Sequence, residues 1–258
     1  MTAIGNQTLG RGKVELSRFK TGTFIPEGFR YTGNTPDFAL NSTSTTLQHW
    51  NSDGPIKTKD KSVILQVEDK ATLTFDDINV DNMALFFLGS SGIITQTSGS
   101  STTEVLSPVK AGYNYVLGIT DLTPTGVRAL TAVTVTKAST PLVANVDYTL
   151  DAARGTVAFI AGGAVIDGDS ISVAYTRGAV NRTQVISGTT QIKAALRFVA
   201  NNGEGDNIDF YMPYVRISPN GDFNLKSDDW QKLSVNVEIL TAPNRAAIYA
   251  DGQPYTAS

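Results

Sequence analysis

The chain has 258 residues, 41% hydrophobic and 17% charged, a balance that supports packed cores in one or two domains and excludes a disordered chain. Its formal charge of -3 supplies no cluster of Lys and Arg for gripping phosphates, so any relation to nucleic acid is expected to be non-adhesive. The absence of cysteine excludes disulfides, thiolate metal sites and cysteine nucleophiles together.

The opening "MTAIGNQTLGRGKVELSRF" carries no apolar signal core, and no later run approaches the roughly 20 apolar residues of a membrane span. A soluble, unexported protein without membrane partners is expected. Val14 and Leu16, then "TFIPEGFRYTG", then Phe38 and Leu40 mark short strands separated by Gly and Pro turns. The polar excursion from Thr35 to Ser62 reads as two arms and the tip of an extended hairpin, with "NSDGP" (Asn51 to Pro55) supplying the turn. From Val63 to Phe75 the chain alternates: Val63, Leu65, Val67, Ala71, Leu73 and Phe75 share a parity, which predicts one buried and one polar face.

One helix is predicted in "DDINVDNMALFFLG", capped by Asp77, Asn79 or Asp81 and stopping at Gly89, with Met83, Phe86 and Phe87 as its packing face. A Ser/Thr/Gly-rich stretch follows. From Tyr113 to Arg177 the chain reads as a small β unit of its own, with turns at Ala152 to Gly155 and Asp167 to Asp169. Strands resume in "QIKAALRFVANN", "IDFYMPYVRIS" and "KLSVNVEIL", and "SPNGD" predicts a tight hairpin turn at Asn220-Gly221. Runs of strands with a single helix argue a mainly β, antiparallel fold: one β domain over 1–110 and 180–258, interrupted by an inserted, immunoglobulin-like β domain over 111–179.

Constellations for chemistry are sparse. The single histidine, His49, stands in the polar excursion and reads as a surface residue, so a histidine-based triad or metal site has one residue to rest on. Asp167 and Asp169 read as turn residues, because two carboxylates fall short of the 6–8 oxygens that calcium takes. No phosphate-binding glycine loop occurs. The chain is therefore expected not to be an enzyme and to need no cofactor and no metal.

Several segments, taken in order, carry a resemblance: "YTGNTPDFALN", "HWNSDGPIKTKDKSV", "FDDINVDNMALFFLG", "VDYTLDAARGTVAF" with "DGDSISVAYT", and "NGDFNLKSDDWQKLSVNVEIL". Together they resemble the major tail tube proteins of long-tailed, non-contractile bacteriophages. The resemblance implies a β-sandwich or split barrel with one flanking helix, and homohexameric rings stacked helically into a hollow virion tube assembled in the bacterial cytoplasm. DNA would pass through the lumen without specific binding, and the tape-measure, tail tip and tail terminator proteins would be partners. A loop after the first strands would reach the adjacent ring; the matching residues are Asn41, Thr45, Leu47, His49, Trp50, Asp53, Lys57, Lys59 and Lys61. Glu68 and Glu238, on polar faces of long strands, are candidates for lumen-facing acids that repel phosphate. The insert would decorate the outer surface. Two other readings stay open: a two-domain carbohydrate-binding β-sandwich protein using Trp50 or Trp230, and the inner tube of a contractile injection device.

Overall fold

The computed structural model describes residues 7–253. In chain order its elements are β1 (Gly12–Arg18), β2 (Arg30–Tyr31), β3 (Asp37–Asn51), β4 (Thr58–Phe75), α1 (Val80–Phe86), β5 (Ser90–Gln96), β6 (Thr102–Leu106), β7 (Asn114–Val116), β8 (Leu130–Lys137), β9 (Thr140–Pro141), β10 (Tyr148–Asp151), β11 (Thr156–Phe159), β12 (Ile171–Arg177), β13 (Val180–Ile186), β14 (Ile192–Ala200), β15 (Ile208–Asn220), β16 (Leu233–Ile239) and β17 (Tyr249–Gly252). The fold is mainly β, as alternation predicts, and the one helix among the described residues has seven residues.

The chain divides into two units, one made of the residues up to Ser91 together with those from Val185, the other of Gly92–Gln184. The inserted unit is thus longer than the expected 111–179. The reason is strand pairing: β6, which lies in the Ser/Thr/Gly-rich stretch ahead of residue 111, pairs with β12 along Thr102 to Leu106 and so belongs to the insert.

In the first unit one antiparallel sheet runs in the order β2-β1-β14-β15-β16-β4-β3, with β17 added beside β15. Its core is the inward parity of these strands: Val14 and Leu16, Ala71, Leu73 and Phe75, Leu196, Ile217, and Leu233, Val235 and Val237. The sheet curls, because Phe38 on β3 meets Phe198 on β14 with ring centroids 5.8 Å apart. It stays open, since its end strands β2 and β3 do not pair. A bulge sets Ala195 against Pro213 and Tyr214, which seats a proline, lacking an N–H, where the ladder is already interrupted.

Helix α1 starts as predicted: the Asn79 side chain accepts the Asn82 N–H at 2.9 Å. Its seat differs from the expected Met83, Phe86 and Phe87 face. Asn82, Ala84 and Leu85 are the buried residues, Met83 and Phe86 flank the core, and Phe87 is the C-cap and 38% exposed. Three apolar residues at helical spacing indicate a stripe, but the sheet below selects which side of it is covered. Gly89 follows the helix end, and a side chain is excluded there because a Cβ would collide with the Ile186 carbonyl oxygen. Leu88, not the glycine, takes the left-handed conformation, at φ 51°.

Asn82 is fully buried, and its amide donates to the Thr32 and Asp77 carbonyls at 2.7 and 2.9 Å while its oxygen accepts from Arg30 at 3.0 Å. A buried amide with all these partners ties the β2 segment to the helix.

The second unit is a sandwich of two antiparallel sheets, β10-β11-β7 and β6-β12-β8-β9, closed over Tyr148, Val157 and Phe159 from one and Val135, Ile171 and Val173 from the other. The expected immunoglobulin-like insert is present as a sandwich, with a strand order that differs from the immunoglobulin one. A constant-type immunoglobulin domain places its first, second, fourth and fifth strands in one sheet; of the seven sandwich strands β6 to β12, the first, third, fourth and seventh share a sheet here. Short alternating strands specify a sandwich, not the order in which they pair.

Candidate assembly interface

Strands β3 and β4 have 15 and 18 residues, about three times the usual length of ~5–6. They pair in register from Asp37 opposite Thr74 to Asn51 opposite Thr58, whereas β16 stops covering β4 at Asp69. Beyond that point the two strands form a bare ribbon that, at ~3.3 Å per residue, projects roughly 30 Å past the sheet. The expected hairpin is present, and it is longer than Asn41 to Lys61.

Its arms place the expected residues in cross-strand pairs: Asn41 opposite Lys70, Thr45 opposite Gln66, Leu47 opposite Val63, His49 opposite Lys61 and Trp50 opposite Lys59. Asp53 lies in the tip turn, where its N–H is held by the Asn51 side chain at 2.9 Å, and Lys57 is exposed beside it. His49 Nδ1 is 2.6 Å from Asp60 Oδ1.

The predicted continuous buried face from Val63 to Phe75 does not form. Ala71, Leu73 and Phe75 are buried, but Val63, Leu65 and Val67 are 59%, 62% and 60% exposed. Two bulges are part of the cause. Thr45 opposes Gln66 and Thr46 opposes Ile64, which makes Leu65 the extra residue; in the same way Asp60 is extra between Lys61 and Lys59. The bulge at Leu65 inverts the alternation. Ile64 therefore takes the face continuous with the core, together with Val67, Leu40 and Trp50, while Val63 joins Leu47 on the other face. Apolar side chains therefore stand on both faces of the ribbon, most of them on the face continuous with the core.

Sequence reasoning missed Val63, Ile64, Leu65 and Val67 as surface residues. The available signal was the consecutive triplet Val63-Ile64-Leu65, which period-two alternation with one polar face does not accommodate. With Leu47, Trp50 and Ile56 they make seven large apolar side chains that are 48% to 78% exposed. Full burial of such a side chain is worth about 1.5–3 kcal/mol, so on the order of 10 kcal/mol remains to be gained when the ribbon is covered. A two-stranded ribbon of this kind is marginal alone, and its outer strand is an open edge.

Glu68 and Glu238 do share the polar face, but neither is an isolated acid. Glu68 lies 2.8 Å from Lys70 Nζ, and one cross-strand rung runs Lys193, Arg216, Glu238, Lys70. The face is of mixed charge.

In the second unit Asp167 accepts the Ala111 N–H at 3.0 Å, and Asp169 accepts the Ile166 N–H at 2.8 Å and pairs with Lys137 Nζ at 2.6 Å. The backbone donor first, then Lys137, hold the Asp169 carboxyl below its ordinary value. Both act in the turn, as read from sequence. Among the described residues no group of three or more His, Asp or Glu could hold a metal ion, and no helix is long and apolar enough to cross a membrane.

No curated protein matches the chain in sequence. A family model described as "Protein of unknown function UCP028589" matches residues 7–253, and the chain belongs to that family.

Proposed function

We propose that this protein is a structural subunit that polymerises with copies of itself, in the role of the tail tube subunit of a long-tailed bacteriophage, and that the β3–β4 ribbon makes the contact between successive rings. The observation that carries this reading is the ribbon itself, a built and regularly paired element whose apolar side chains have no partner surface within their own unit. Contiguous exposed apolar surface of this kind marks an interaction site. An element that extends an open sheet edge beyond its own domain finds its cover most simply in another copy, since edges left open invite uncontrolled pairing. The mixed charge of the polar face suits a conduit that lets a polyanion slide, because it offers no unbroken cationic track.

Negative-stain electron microscopy over a concentration series, with light-scattering mass on the same samples, tests the reading. Hollow rods or stacked rings of uniform diameter are expected. A monodisperse monomer up to millimolar concentration overturns it.

A further inference from the structure

We propose that the ribbon tip of one copy docks on the loop between β15 and β16 of the next, end to end, so that the contact repeats without closing on itself; this rests on the self-assembly reading above. The placement of the two surfaces follows from strand register. β4 runs from the ribbon tip at Thr58 to Phe75, and Phe75 lies opposite Leu233, where β16 begins. The chain leaves β15 at Asn220, which opposes Ser234, so residues 221–232 gather at the Phe75 end. The tight Asn220-Gly221 hairpin expected from sequence is replaced by this longer connection. Tip and loop therefore stand at opposite ends of one strand, roughly 55 Å apart at ~3.3 Å per residue. A contact between opposite ends of identical copies is head-to-tail, and it stays open-ended where translation along the strand relates one copy to the next.

The loop is built to present side chains. Phe223 anchors it on Phe86 and Phe87 of the helix end, with centroids 6.1 and 6.4 Å apart. Gln231 Nε2 donates to the Asn224 carbonyl at 3.1 Å, Ser227 Oγ to the Asp229 carbonyl at 2.9 Å, and the Trp230 N–H to Asp229 Oδ1 at 2.8 Å. On this ordered frame Leu225 and Trp230 are 78% and 87% exposed. Large side chains held bare by an ordered polar loop are what interface anchors look like before their partner arrives.

Charge selects the ribbon tip as that partner. The loop carries Asp222, Asp228 and Asp229 against Lys226 and Lys232, and the tip carries Lys57, Lys59 and Lys61 against Asp53 and Asp60, so the loop is net acidic and the tip net basic; among the described residues neither the three loop aspartates nor the three tip lysines form an ion pair. Complementary rims of this kind fix register and exclude the like-to-like contacts of tip on tip and loop on loop. Ile56 and Trp50 at the tip supply apolar surface to meet Leu225 and Trp230.

The chain's lack of cysteine makes cross-linking unambiguous. A double variant, Ile56→Cys with Leu225→Cys, oxidised at an assembling concentration, is expected to give a ladder of covalent multimers, while each single variant stops at dimers. Two charge-exchanged chains provide the second arm: one with Lys57, Lys59 and Lys61 each changed to Glu, the other with Asp222, Asp228 and Asp229 each changed to Lys. Each alone should need at least about tenfold more protein to assemble, and an equimolar mixture should recover the parental threshold, because exchanged tips then meet exchanged loops. If the parent assembles but the double variant yields only dimers, or the mixture does not recover, the loop is not the receptor and the self-assembly reading stands. If the parent does not assemble, both readings fall.

Discussion

Removing the ribbon separates folding from assembly. Deleting Thr45 to Gln66 and joining Ser44 to Val67, which face each other across the ladder, through Asn-Gly leaves a two-residue hairpin of the favoured type. None of the deleted residues belongs to the buried core of the first unit. The stability of the shortened chain should therefore stay within about 1 kcal/mol of the parent, as for surface changes generally. By contrast Leu73→Ala, at a fully buried position opposite Phe38 and Val235, should lose about 2–5 kcal/mol. Assembly should respond in the opposite order. If half of the roughly 10 kcal/mol of apolar burial available to the ribbon is realised on docking, its loss weakens association by between three and four decades at about 1.4 kcal/mol per decade. Urea unfolding followed by far-ultraviolet circular dichroism reads the first quantity, and sedimentation velocity over a concentration series the second. A shortened chain that unfolds several kcal/mol more easily refutes the inert-ribbon argument. One that assembles at the parental threshold refutes the interface.

Two further outcomes follow from buried polar groups. Asn82→Ala strands the Thr32 and Asp77 carbonyls and removes the Arg30 acceptor, so it should cost about 1–3 kcal/mol in chemical denaturation, and a loss below about 0.5 kcal/mol would show that water replaces the amide. In the second unit the Tyr175 phenol is pushed up to about 12, first by burial and then by the Glu104 carboxylate, which accepts its hydrogen at 3.1 Å. Because the fold favours the neutral phenol, its contribution is intact below pH 10.0 and is lost as pH rises from there towards about 12. Thermal melts should show the second unit weakening over that window in the parent and less so in Tyr175→Phe; equal slopes would place the alkaline sensitivity elsewhere.

Alternation alone determined that this chain is a mainly β protein interrupted by a second β unit, and local chemistry was enough to narrow the helix cap to Asp77, Asn79 or Asp81 and to place the Asp167 to Asp169 turn and the existence of a hairpin after Leu40. These features are legible because each depends on residues a few positions apart. Pairing partners are not local. β6 joins the insert only because β12 lies beside it, and the sandwich order differs from the immunoglobulin one for the same kind of reason. The candidate interface was legible in its polar residues and in Leu47 and Trp50, but not in its second arm. Val63, Leu65 and Val67 carry the same signal as Ala71, Leu73 and Phe75, and nothing in period two tells a covered strand from a bare one. The tertiary structure decided that β16 ends opposite Asp69 and that a bulge at Leu65 turns the alternation over, so similar sequence signals became core on one side of that point and exposed ribbon on the other.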